Sequence, residues 1–598
     1  MDFVPSRNLY FVNFRMEYLF QAHKELMGSI SKARLLLWLW LTLLLFGCRS
    51  NAVNQEFEAG SKCPDILLDS AKVEDLVLLG HVWGFLKYYH PAVSDGDFNW
   101  DGELFRILPQ ILNAESVVQR NDILWTWINH LGIVHESKRT IGEGEEIKML
   151  PDLAWLEDQQ LGDKLRSQLH TIQHARRRDN NYYVGLKRGV RNPEFLHEEP
   201  YNSMRFPDVG YRLLSLYRYW NMIQYFYPYR GILDEDWNAV LRNFVPHFVH
   251  ASSELEYKLA VLQLIAQVHD THANIWSKDT ILDKYYGLYY APLEITFVEN
   301  KPVVTDYLDD AAGKMTGLVV GDIINKVGGE TIDEILHREL PYTPASNYTT
   351  QLRDISVDLL RSRERMLAVE YTHDDTLMLA TIRCIKGDSI MLYKKYARTD
   401  TCFRTIESDI AYLNMGNIKQ KYLQYIMPAL LETKGLIIDL RCYPSDFMVF
   451  SLSEYLLPDA FRFVKFSSGS ITEPGQFTLT DGAQVGKESV SAYKGKVVIL
   501  VNELTQSSAE YHAMAFRVVP GATVIGSTTA GADGNVSHIM LPGGIRTMIS
   551  GIGVYYPDGS ETQRLGIIPD IEVKPTLQGI KEGRDEVLEY AIQLIRNK

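Results

Sequence analysis

The spacing of apolar residues along the chain changes as it is followed, and the changes divide it. From Leu76 to about Pro109 apolar and aromatic residues recur at helical spacing, and the pattern returns at a constant offset of 137. Leu76, Leu79, Trp83, Tyr88, Pro91, Trp100, Leu104 and Pro109 match Leu213, Leu216, Trp220, Tyr225, Pro228, Trp237, Leu241 and Pro246 without a gap. In the second stretch Leu213, Leu216, Tyr217, Trp220 and Ile223 mark one helix face. Pro228, Tyr229 and Gly231 end that helix, and another opens near Asp236. Each stretch predicts a helical hairpin whose Trp and Tyr residues pack a core. The match extends to Ile128 with Ile265 and His135 with His272, so each copy ends a helix in a histidine. Between them, Lys138 to Pro207 is irregular and charged. It reads as a linker with one helix, its run Arg176-Arg177-Arg178 on a solvated face.

After His272 the pattern becomes one of strands. Leu293 to Phe297 and Pro302 to Thr305 flank the turn Glu299-Asn300, and Gly317-Leu-Val-Val-Gly321-Asp322-Ile-Ile predicts a strand followed by a glycine turn at Gly328-Gly329 and a helix. A phosphate cradle is the competing reading of these glycines, but no Lys-Ser or Lys-Thr follows them. From Ile410 strands and helices alternate as in an α/β layer structure: strand Ile410–Met415, helix Gln420–Thr433, strand Gly435–Arg441, helix Phe447–Leu457, and a last helix Asp585–Ile595. The β-branched run Val497 to Val501 is a buried strand, and Ala509, Ala513 and Phe516 then recur at helical spacing, which puts Ser507 at a helix N-terminus. Free N–H groups and the positive dipole end there favour a developing oxyanion. The local pattern by itself favours the plainer reading, Ser507 as an N-cap with Glu510 completing a capping box.

Composition narrows the function. The 598 residues suggest three or four domains, and a net charge of −14 argues against nucleic acid as a partner. Lys32 and Arg34 precede the apolar run Leu35 to Phe46, which is the length of a signal-peptide core. It ends in Leu45-Phe46-Gly47-Cys48, which resembles a bacterial lipobox with Cys48 as the lipid-bearing residue; a short uncleaved anchor is the alternative. The compact signal opens at Met27, an expected start. Export would place Cys63, Cys384, Cys402 and Cys442 in an oxidising compartment, with Cys384 and Cys402 the nearest pair. No zinc-type cysteine spacing occurs, and the pairs His269/His272 and His247/His250 lack the Glu of a His-Glu-x-x-His helix, so neither metal nor cofactor is expected.

The order of the parts carries more than any one of them. A helical unit ending in Thr-His, a glycine-rich segment resembling a permuted bacterial PDZ domain, the strand ending Ile-Asp-Leu-Arg441, the elbow Ser507-Ser508-Ala-Glu510, Gly-Ser-Thr-Thr-Ala-Gly531 and Gly566-Ile-Ile-Pro-Asp-Ile resemble the C-terminal-processing and tricorn-type serine peptidase family from about Pro207 to Val573. The resemblance implies Ser507 as nucleophile and the Ser508 amide in the oxyanion hole. Where one branch carries a lysine base this chain has Ala532, which leaves the histidine branch, with His272 as general base and Thr271 helping to orient it. It implies a carboxylate before Gly-Ile-x-Pro-Asp, for which Glu561 is the nearest acid and Gln563 its rival. The family's Gly-Gly after the Asp-Leu-Arg strand is Tyr443-Pro444-Ser445-Asp446 here. Ser445 is then the second oxyanion amide, strained if the turn needs positive φ.

The expected fold is a multidomain α/β protein with a crotonase-like layered catalytic core (391–598), a PDZ-like β-rich unit (286–390) and duplicated helical units (48–140 and 207–285), separated by a linker (141–206) and preceded by a lipoprotein signal peptide (1–47). The implied activity is endopeptidase cleavage of peptides or unfolded proteins by acyl-enzyme chemistry at a Ser-His centre, in the cell envelope, on a lipid anchor to the membrane. The alternatives are a catalytically inactive peptide-binding scaffold and an apolar-ligand binder on the same core.

Overall fold

The computed structural model describes residues 55–136, 146–276, 278–394 and 401–597, so the signal segment and Cys48 lie outside it. Two units result. Of Met1–Ala59 only one 3-10 turn, Gln55–Phe57, is described; Gly60–Lys598 is the second unit and holds all that follows.

Its N-terminal part is helical: α1 (Ser70–Tyr89), α2 (Trp100–Leu112), α3 (Val117–His130), α4 (Gly162–Gln173), α5 (Val209–Phe226), α6 (Trp237–His250) and α7 (Glu254–Ala266). Local chemistry repeats at the offset read from the sequence. Asn99 and Asp236 cap α2 and α6, and Ser116 and Ser253 cap α3 and α7, each accepting from a first-turn amide. Trp83 and Trp100 exchange indole N–H bonds to each other's carbonyls at 3.1 and 3.0 Å, and Trp220 and Trp237 do the same at 2.6 and 3.0 Å. Helix α5 is buried on every side and lies against α1. Tyr217 and Asn221 of α5 sit over Gly80 and Gly84 of α1, where a Cβ on Gly84 would come within 1.8 Å of Asn221 Oδ1.

The segment between the two stretches is more than the expected linker. It does contain one helix, α4, but Ile147–Met149 also pairs antiparallel with Phe477–Leu479, and Val184–Leu186 with Pro193–Phe195. The arginine run is not a uniformly solvated face. Arg176 and Arg178 are exposed, whereas Arg177 is buried over the Tyr89 ring, donates to the Thr472 carbonyl at 2.7 Å and pairs with Glu473 at 3.1 Å. A guanidinium satisfied on all sides can be buried, which a charge count does not reveal.

Next come β1 (Leu293–Val298), β2 (Lys301–Tyr307), β3 (Ile323–Val327), α8 (Tyr348–Asp358), β4 (Met366–His373) and β5 (Thr376–Arg383), in a sheet of order β5-β4-β3-β2-β1. The predicted turn at Glu299-Asn300 has φ of 52° and 62°, the doubly positive conformation that matches strand twist in a tight hairpin. The last layer holds β6 (Phe403–Ile406), β7 (Ile410–Asn414), β8 (Gly435–Asp439), β9 (Lys496–Val501), α9 (Ser508–Arg517), β10 (Thr523–Gly526), the hairpin β11 (Val536–Leu541) and β12 (Ile545–Ser550), then β13 (Ile571–Glu572) and α10 (Glu586–Arg596). Its sheet runs β6-β7-β8-β9-β10-β13, parallel except for the edge strand β6. Both faces are covered, so β9 is apolar from Val497 to Val501. Val497, Ile499 and Val501 pack with Ala509, Ala513 and Phe516 of α9, while Val498 and Leu500 pack with Val587, Ala591 and Ile595 of α10. Cys384 and Cys402 form no disulfide.

Candidate active site

Strand β9 aims the chain at Ser507. Beyond it Thr505 donates to the Leu440 carbonyl at 2.8 Å, tying the connecting loop to the end of β8. Ser507 has φ 55° and ψ −117°, whereas Ser116 and Ser253, the ordinary serine caps of this chain, are extended at φ −154° and −145°. A non-glycine residue held there stores about 1–3 kcal/mol of strain, a cost typical of functional sites. Glu510 holds it. Its buried carboxylate accepts from the amides of Ser507 at 3.1 Å, Gly531 at 2.8 Å and Ala532 at 3.0 Å, and from the Thr529 hydroxyl. Burial pushes the Glu510 carboxyl above its usual value, and these hydrogen bonds oppose the rise. The capping carboxylate is therefore present, but the serine it serves is strained rather than relaxed. The amide of Ser508, first residue of α9, has no intrahelical acceptor.

Thr271, the residue before His272, reaches the same segment. Thr271 donates its hydroxyl to the Ala530 carbonyl at 3.1 Å, two residues from the Ala532 carbonyl that accepts from Ser507 N–H at 2.9 Å. Thr271 and Gln506, the neighbours of His272 and Ser507, both line a cleft of about 1070 Å³ with Asn274, Trp276 and Arg353. His272 is buried, and its Nδ1 lies 2.9 Å from Ser550 Oγ and 3.5 Å from Asp270 Oδ1. The side chains of Ser507 and His272 are not hydrogen-bonded to each other among the described residues. Catalytic hydrogen bonds in substrate-free sites are often long and tighten on substrate binding.

Two expected residues stand elsewhere. Glu561 pairs with Lys148 at 2.7 Å, not with His272, whose Nδ1 is already partnered; Gln563 lies beside the Tyr227 hydroxyl at 3.4 Å. The Tyr443–Asp446 turn contains no positive φ, so the strain feared for a non-glycine turn does not arise. Its Ser445 amide, however, donates to the Met415 carbonyl at 3.0 Å, which occupies the proposed oxyanion donor. Asp270, Ser550 and His512 are not among the residues expected from the sequence. His512 Nε2 accepts the Met448 amide at 2.9 Å and ties the end of that turn to α9; burial lowers its pKa to about 4, so it is neutral. Its place one turn beyond Ser508 was the available signal. Asp270, two residues before His272, was readable as well, but Ser550 is 278 residues away and left none.

Peptidase family S41 matches residues 409–573, a span that contains Ser507. Over that span the chain is similar to serine peptidases of this family. A carboxy-terminal-processing protease of Bartonella bacilliformis is 23% identical over 330 residues, 52% of this chain and 66% of the relative, so the match spans just under two thirds of that relative's length. Among solved structures, mature CPAF complexed with lactacystin superimposes with a TM-score of 0.52 at 13% identity, covering 65% of this chain and 99% of that one. A second structure of mature CPAF gives 0.50 at 14%, covering 65% and 98%. At that identity the likeness is one of fold. The S41 span does not include His272, so the match says nothing of the base.

Proposed function

We propose that this chain is an S41-family serine endopeptidase acting on peptides or unfolded proteins through Ser507 and His272. Ser507 Oγ attacks the scissile carbonyl carbon while its proton passes to His272 Nε2. The tetrahedral intermediate collapses, the C–N bond breaks, and the leaving amine takes that proton. Water, deprotonated by the same imidazole, then releases the acyl group and regenerates Ser507. Thr271 fixes the backbone before the base, and the Ser508 amide stabilises the oxyanion. The observation that carries this reading is the left-handed Ser507 at a helix N-terminus, clamped by a buried carboxylate.

In this reading the β-rich unit is PDZ-like, the last layer is crotonase-like, the helical stretches are duplicated units, and the protein is held to the cell envelope by lipid on Cys48. No helix among the described residues is long and apolar enough to cross a membrane. Turnover of an unfolded protein by the wild type and its loss in Ser507→Ala tests the proposal; equal turnover in both rejects it. A second reading, a peptide-binding protein that does not cut, is favoured by the Ser445 amide's bond to Met415. It requires the same cleft to bind peptide in wild type and Ser507→Ala alike, with no cleavage in either.

A further inference from the structure

The imidazole of His272 needs a partner on Nδ1 to fix its tautomer, and the structure supplies one that is not the expected glutamate. Ser550, the last residue of β12, is fully buried. Its amide donates to Asp270 Oδ2 at 2.6 Å and its hydroxyl to Asp270 Oδ1 at 3.1 Å, so the hydroxyl oxygen is left to accept from His272 Nδ1–H at 2.9 Å. The His272 amide also donates to Asp270 Oδ1, at 3.0 Å. A hydroxyl that gives its one proton to a carboxylate can only accept from the imidazole. That leaves the proton on Nδ1 and the lone pair on Nε2, the tautomer a general base requires. The loop is held in register with the strand, because Trp276 donates its backbone N–H to the Arg546 carbonyl at 3.0 Å and its indole N–H to the His272 carbonyl at 2.7 Å.

We infer that Ser550 and Asp270 form the orienting pair of this centre, the hydroxyl relaying the carboxylate's charge to His272, in the role that Glu561 was expected to fill. The inference rests on the serine peptidase reading. Both are positioning residues, since neither is placed to touch substrate. Burial pushes the Asp270 carboxyl up, but hydrogen bonding and charge from His272 and the Ser550 amide outweigh it and hold it below its usual value, so the pair is charged at neutral pH. From α5 and its end, Asp270 is faced by Tyr219 and Tyr227, whose hydroxyls burial keeps neutral.

The test compares Asp270→Asn, Ser550→Ala, Ser550→Thr and Glu561→Gln in the full chain. Asp270→Asn should lower kcat roughly 100-fold with KM within about twofold, and move the acid limb of kcat/KM to lower pH by about one unit, because the carboxylate no longer favours the imidazolium. Ser550→Ala should cost kcat about tenfold and Ser550→Thr should restore it, while Glu561→Gln should leave both kcat and the limb unchanged. Wild-type kcat and limb in Asp270→Asn and Ser550→Ala, or a shifted limb in Glu561→Gln, overturns the inference. Should Asp270→Asn fail to fold, Ser550→Ala carries the test, since the backbone bond to Asp270 remains. Imidazole 15N titration of His272 reads the pair without turnover: a lower pKa in Asp270→Asn supports it, and an unchanged one refutes it. If the wild type shows no Ser507-dependent turnover, the peptidase reading fails, and this titration still decides the orienting pair.

Discussion

The two helical stretches share caps, reciprocal tryptophan bonds and a histidine at one offset, yet their ends diverge. After α3 the chain runs Gly132-Ile133-Val134-His135, with Ile133 89% exposed and His135 on the surface. After α7 it runs His269-Asp270-Thr271-His272, with Asp270 at 0% and His272 at 7%. The helices beneath are alike, so the scaffold does not make the site. What differs is the surface against which the terminal loop docks: the end of β12 and the 529–532 segment in one case, and the backbone of Ala175 and Arg176 in the other. The second end packs beside the segment whose Ala532 carbonyl accepts from Ser507 N–H, and the first does not.

The helices differ inwardly too. Gly80 and Gly84 of α1 receive Tyr217 and Asn221, which occupy the matching positions of α5. Arg218 stands where α1 has His81, and Lys87 where α5 has Gln224. A buried ion cluster results, in which Lys87 pairs with Glu198, and Arg218 with Glu198 and Asp101. His81 instead lies neutral between Trp155 and Trp220.

The sharpest way to break the comparison is to remove each histidine. His272→Ala should lower kcat/KM by a factor on the order of 10³ or more, as loss of a base acting with its nucleophile does, and His135→Ala should leave it unchanged. Next in size, Lys87→Ala leaves Glu198 with one cation fewer in a dry site and should cost about 3–5 kcal/mol in denaturant unfolding. Gly84→Ala should cost about 1–3 kcal/mol by overpacking, and pairing it with Asn221→Ala should recover part of that; strict additivity would mean the two side chains do not meet.

A last effect, similar in size to that of Gly84→Ala, concerns His81. Burial lowers its pKa to about 3, below the 6.5 of the unfolded chain. The unfolded state therefore binds a proton below pH 6.5 that the native state refuses, and stability falls as pH drops through that window. By pH 5 the loss from this group is about 2 kcal/mol. His81→Gln should flatten the fall between pH 7 and 5, and an unchanged slope would show that His81 is not the group responsible.

How much of this was legible follows from what sets each feature. The repeat, β9, the hairpin at Glu299-Asn300 and the position of Ser507 were readable because period and turn chemistry are local. The role of Arg177, the pairing of Ile147–Met149 with Phe477–Leu479 and the Ser550–Asp270 pair were not, because each depends on a partner hundreds of residues away. Glu561 is the acid nearest in sequence to Gly-Ile-Ile-Pro-Asp, but its partner Lys148 comes from the segment between the helical stretches, far away in the chain. Ser507's strain was hidden by its neighbour, since Ser-x-x-Glu reads as a relaxed cap until the backbone is seen.

The central claim is that Ser507 is a nucleophile activated by the histidine of the second stretch and not of the first. Labelling with a fluorophosphonate probe, read by mass spectrometry of the Ser507 peptide, tests it most directly. The account predicts labelling of Ser507 in the wild type and in His135→Ala, and its loss in His272→Ala. Equal labelling in His272→Ala, or no labelling of Ser507 in the wild type, would contradict it.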